Sequence, residues 1–138
     1  MKKTFLTALI LYFLTLTFRL PGISTNAPQA DELHWQARSY QVVRLFREKE
    51  YSNLTTHLGQ PGIPAVSVIA TSEALADRYN RYKGERVVNY LTAGRVGIAL
   101  VTSLIVPFVF LSLSLMGFFW PGLLASAFLA LELSLIHI

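Results

Sequence analysis

Residues 96 to 131 carry no charged side chain, and this 36-residue run constrains the chain more than any other feature. Between Val96 and Phe118, fourteen positions are Leu, Ile, Val or Phe. At about −0.3 to −0.6 kcal/mol each, they favour insertion into a bilayer by on the order of 6 kcal/mol. One crossing takes about 20 residues, so the run is too long for one span and too short for two spans with a turn. The expected architecture is an all-α membrane protein in which a first transmembrane helix over 95–118 is followed by a second over 122–138, truncated. Composition agrees, with 53% of 138 residues hydrophobic and 14% charged, outside the usual balance of a soluble domain.

Local chemistry divides this run. Pro107 removes a backbone donor and should kink the first helix, with Ser103 close enough to serve the freed backbone. Phe118-Phe119-Trp120-Pro121-Gly122 reads as a tight interfacial turn, where aromatics collect and Pro-Gly reverses the chain. Ala99, Ser103 and Pro107 recur every fourth residue in one helix, and Gly122, Ser126 and Ala130 in the next. Such stripes let two helix backbones approach closely, and a packed hairpin is expected.

Glu132 ends the charge-free run. A carboxylate near the centre of a bilayer costs roughly 3 kcal/mol and is read by default as functional, which makes Glu132 the intramembrane acidic candidate. After it comes LSLIHI, residues 133–138, a string that one reading frame of a common sequencing-library transposon end encodes. Residues 133–138 are therefore expected to be translated adapter, with the reading frame cut after Glu132. His137 falls within that stretch and is not paired with Glu132 as a proton or ion site.

At the other end, Lys2 and Lys3 precede fifteen uncharged residues, Thr4 to Phe18, and then Arg19. A basic start and a short apolar stretch are the layout of a secretory signal peptide. Fifteen residues make roughly 22 Å of helix, short of the roughly 30 Å hydrocarbon core. Residues 1–23 are thus expected to be a signal peptide. The cleavage site is poor, since Pro28 disrupts the choices at Ala27 and Ala30 and only Gly22 with Ser24 offers a small pair, so a signal-anchor helix is the alternative.

The segment between the apolar blocks, 24–94, should be helical and outside the membrane. Asp31 is the expected N-cap of its first helix, with Glu32 behind it; Trp35, Val42, Val43 and Phe46 share one side at helical spacing, while Leu33, Tyr40 and Tyr51 lie on another. LFREKEYSNLTTHL, residues 45–58, is similar to the turn between two helices of tetratricopeptide hairpins. It covers fourteen residues without a 34-residue repetition, and implies a local helical hairpin alone. GQPGIP, 59–64, is a breaker, and AVSVIA, 65–70, is expected to be an extended linker because no second strand is present to pair with it. Ser72 should then cap a helix with Leu75, Tyr79, Tyr82, Val87 and Leu91 on its apolar side, weakened at Gly84 and running straight into the membrane span. So small a segment should dock on membrane helices or on a partner.

Charge gives two conflicting instructions about sidedness. Lys2 and Lys3 hold the N-terminus in the cytoplasm and export the segment beyond the first apolar block, whereas the juxtamembrane bases Arg78, Arg81, Lys83, Arg86 and Arg95 are an excess that normally stays inside. The first segment usually dominates, which places the polar segment outside the cytoplasmic membrane. Its bases would then face anionic headgroups.

Function is less legible. The twelve Lys and Arg residues form no dense block, so nucleic acid is set aside. With no cysteine there is no thiolate chemistry. No phosphate-binding loop, dinucleotide fingerprint, nucleophile elbow or zinc-protease pair occurs. Asp31, Glu32 and His34 lack a second ligand pair and read as a solvated helix start; His57 reads as a surface residue, and Asn53-Leu54-Thr55 as a chance glycosylation triplet. No catalytic, cofactor or metal residue is nominated. The expected partners are the bilayer and either a protein or helices encoded downstream. The expected function is an input or docking module at the start of a polytopic bacterial-type receptor or secretion-type assembly; the alternative is the start of a multi-span transporter or membrane enzyme.

Overall fold

The computed structural model describes residues 2–28, 30–53 and 63–135, the side chains at 30, 31, 63 and 133–135 excepted. His57, Thr55 of the Asn-Leu-Thr triplet, most of GQPGIP and the end of LSLIHI lie outside the described residues. Regular structure among the described residues is entirely helical: α1 (Lys2–Arg19), α2 (Ala30–Glu48), a 3-10 turn (Tyr51–Asn53), α3 (Ile63–Lys83), α4 (Tyr90–Ser103), α5 (Ile105–Leu115) and α6 (Phe119–Leu135). The chain forms two compact units, Met1–Pro21 with Ala99–Ile138 and Gly22–Ile98. Helix α4 starts in the second and ends in the first.

In the unit of Met1–Pro21 with Ala99–Ile138, α1 packs on α5 and α6, which form a hairpin. Its centre mixes small and polar groups with larger apolar ones: Ala8, Thr15, Ala99, Ser103, Ser126 and Ala130 are all buried, as are Pro107, Gly122, Leu11 and Leu16. Val106 and Phe110 are its fully buried large side chains, and Phe110 meets Phe119 edge-to-face at 5.4 Å. Phe5, Leu6, Ile10 and Phe13 of α1, Phe108 of α5, and Leu124 and Phe128 of α6 all point outward, more than half exposed.

Pro107 has no N–H to offer the Ser103 carbonyl, and the chain tightens ahead of it, where the Leu104 N–H bonds to Val101 O at 3.1 Å. Taken across this break, Tyr90–Leu115 is 26 residues long and is the one helix among the described residues long and apolar enough to cross a membrane. Phe119–Glu132 is apolar but shorter.

The turn into α6 lies earlier than expected. Gly117 adopts φ +91°, Phe118 N–H bonds to Leu113 O and Gly117 N–H to Ser114 O, a left-handed glycine C-cap that satisfies the last carbonyls of α5. Pro121 and Gly122 therefore sit inside the first turn of α6, where a proline's missing N–H costs nothing. Gly122 is where the hairpin closes, since a Cβ there would stand 3.0 Å from Leu113 Cβ and 3.4 Å from the Phe110 carbonyl.

In the unit Gly22–Ile98, α2 packs on α3 through Val42, Val66 and Ala70, with Val43 against them. Helix α2 begins at Ala30, so Asp31 falls in its first turn and is not the cap. It ends on Lys49 at φ +60°, with Glu50 N–H on Leu45 O and Lys49 N–H on Phe46 O. Phe46 stays half-exposed and stacks edge-on with Tyr51.

Three expectations for α3 are corrected. AVSVIA is helical, not an extended linker: a lone strand leaves its backbone unpaired, whereas a helix satisfies its own, and Val66, Ile69, Ala70, Glu73, Ala76 and Asn80 recur at helical spacing on one buried face. Ser72 is mid-helix and turns its hydroxyl back to Val68 O at 2.8 Å. The helix does not run on into α4; Gly84, at φ +73°, ends it. The connection to α4 is clamped by Asn80, whose amide donates to Val88 O and accepts from Val88 N–H, both at 2.8 Å. Asn89 then caps α4 by accepting the Leu91 N–H at 3.1 Å. Beyond the cap α4 comes very close to α3, and a Cβ on Gly97 would lie 1.9 Å from Ser72 Oγ.

Candidate functional site

Polar side chains in the unit Gly22–Ile98 gather at three places. The first is Arg95, whose five N–H donors are all used. Nε and Nη2 grip Glu32 side-on at 2.9 and 2.7 Å; Nη1 donates to the carbonyls of Ile23 and Asn26 at 2.8 and 3.0 Å, and Nη2 to that of Ala27 at 3.1 Å. Only arginine has a planar fork that reaches a carboxylate and a turn of backbone together. The turn presents those carbonyls because Gly22, at φ +78°, lets Asn26 N–H fold back on its oxygen. Arg95, expected among the bases facing headgroups, is committed to the protein's own backbone and to Glu32.

The second place is Glu73, 7% exposed in the α2–α3 interface. Ser39, itself fully buried, hydrogen-bonds Glu73 Oε2 and also lies 2.7 Å from Gln36 O. Glu73 Oε1 has no hydrogen-bond partner among the described residues. Burial pushes this carboxyl above its usual range, while hydrogen bonds from Ser39 and Gln36 pull the other way. From sequence Glu73 reads as a helix-start acid; its spacing from Val66, Ile69 and Ala70 is the signal that it belongs to the buried face.

The third is the end of α3. Asp77 pairs with Arg81 and accepts from the Tyr90 hydroxyl at 3.1 Å. Arg86 lies over the Tyr90 ring at 4.8 Å, and Lys83 over Tyr79 at 5.9 Å. Arg78, Arg81, Lys83 and Arg86 are all exposed. So are Leu75, Tyr79, Tyr82 and Val87 at 64, 45, 84 and 52%, which corrects their expected role as the packed side of this helix. The face that packs is smaller and partly polar.

In the other unit Arg19 is buried and donates to Thr102 and to Ser103 Oγ, the latter at 3.5 Å. Ser103, expected to serve the backbone freed by Pro107, is thus an acceptor for Arg19. The six small helix-packing positions, Ala99, Ser103, Pro107, Gly122, Ser126 and Ala130, are all buried here. Glu132 is exposed on α6. Of the DELH group, Glu32 is held by Arg95 and His34 is exposed; among the described residues no three acidic or histidine side chains converge as metal ligands.

Comparison with known protein families, with characterised proteins and with solved structures returns no match.

Proposed function

We propose that this chain is a membrane-embedded helical module of the bacterial type. The unit of Met1–Pro21 with Ala99–Ile138 lies in the cytoplasmic membrane, and the unit Gly22–Ile98 serves outside it as an input or docking element of a receptor or secretion-type assembly. The observation that carries the reading is the packing of the first unit: small residues of facing helices share its centre with Leu11, Val106 and Phe110, while Phe5, Ile10, Phe108 and Phe128 face outward. Lipid tails accept such a surface, and close backbone approach between small residues is what holds helices together there. Because α1 contributes Ala8 and Leu11 to that centre, it is retained as an anchor in this reading. The docking role rests on α2, which presents Leu33 and Tyr40 on one stripe, both more than half exposed.

The chain has no cysteine, so a Tyr40→Cys variant carries one label. Expected are retention of the full chain in bacterial membranes after an alkaline carbonate wash, and labelling of the introduced thiol in intact cells by a membrane-impermeant maleimide. Release into the wash overturns the membrane reading, and labelling only after lysis overturns export.

A second reading draws on Glu132, exposed on an otherwise apolar helix: it lines a polar path in a multi-span transporter or membrane enzyme. Further helices bearing charged residues in the uninterrupted reading frame favour it, and a soluble signalling domain there favours the first.

A further inference from the structure

Resting on the membrane reading above, we propose that the exposed stripe of Leu75, Tyr79 and Tyr82, flanked by Arg78, Arg81 and Lys83, is a binding surface for anionic phospholipid headgroups. Helix α3 is held by contacts within its own unit. Asn80 is bonded to Val88 and Asp77 to Tyr90, and Ile69 and Ser72 lie against Gly94 and Gly97. Helix α3 therefore meets the first half of α4 at these points.

The stripe's chemistry suits a headgroup layer. Tyrosine places an apolar ring and a polar hydroxyl across an interface, and long basic side chains reach phosphates while their methylenes lie on apolar neighbours. Charge complementarity selects the occupant: from Asp77 to Arg86 there are four bases and two acids, a surplus that favours phosphodiester headgroups over a zwitterionic surface. Towards the end of this helix the large side chains Leu75, Tyr79 and Tyr82 are exposed, while Ala76 and Asn80 are buried.

The test uses the whole chain with a single fluorophore on Tyr82→Cys, incorporated into nanodiscs of phosphatidylcholine with or without phosphatidylglycerol. A quencher carried on the lipid headgroup reports contact. Expected is a several-fold rise in quenching when phosphatidylglycerol is present, lost in the triple variant Arg78→Glu, Arg81→Glu, Lys83→Glu and weakened by raising salt. Equal quenching in both lipids, or a rise that the triple variant keeps, overturns the proposal and leaves the stripe to a protein partner. Failure of the parent chain to enter the discs overturns the membrane reading instead, and this inference with it.

Discussion

At the scale of single residues, the unit Gly22–Ile98 depends on two charges with opposite effects. Arg95 is stabilising because every donor is matched; Arg95→Lys keeps the charge, cannot reproduce the fork, and should lower the stability of this unit by about 2–4 kcal/mol. Trp35 and Trp120, the only two tryptophans, fall in different units, so the emission of Trp35 in a Trp120→Phe background measures that loss in detergent. Glu73 is the reverse case. Its folded carboxyl titrates above the unfolded one, so the favourable contribution is complete below the ordinary carboxylate range and is lost as pH rises through the raised value. Glu73→Gln should therefore stabilise the unit at neutral pH and flatten this part of its pH dependence, seen as converging denaturation midpoints of the two proteins in acid. Midpoints that stay equal at neutral pH would remove Glu73 from the account. Lys49 is a smaller matter: a side chain at φ +60° costs about 1 kcal/mol relative to glycine, and Lys49→Gly should recover roughly that in the same assay.

At the scale of helices, two glycines decide how closely neighbours pack. Gly122 closes the α5–α6 hairpin and Gly97 brings α4 onto α3. Gly97→Ala would drive a methyl into Ser72 Oγ and Cβ, at 1.9 and 2.9 Å, and should cost about 1–3 kcal/mol. Pairing it with Ser72→Gly should restore most of the loss, a coupling that a double-mutant cycle isolates. Helix existence was largely legible, because apolar periodicity is a short-range signal, whereas the helix end at Gly84 and the cap at Asn89 were missed. Element boundaries were not. AVSVIA resembles a linker by its β-branched residues and the prolines before it, yet becomes helix once Val66 and Ala70 have Val42 to pack on. Phe118-Phe119-Trp120-Pro121-Gly122 resembles a turn by composition, but Gly117 alone supplies the positive φ that reverses the chain.

At the scale of the molecule, the two compact units should unfold as separate transitions. Trp35 and Trp120 emission, each measured with the other replaced by Phe, should give denaturation midpoints that do not coincide, with only the Trp35 transition moving in Glu73→Gln. A single shared midpoint for both probes would mean one cooperative body. Helical class, the apolar run and the small-residue stripes were determined by sequence alone, because hydropathy and helical spacing are properties of neighbouring residues. Tertiary structure decided that Tyr79 and Tyr82 stay outside while Glu73 goes in, and that Arg95 belongs to Glu32 and a turn of backbone. Those partners lie 34 and 63 to 72 residues apart in the chain, and only burial against a distant helix determines whether a charge is solvated, paired or enclosed.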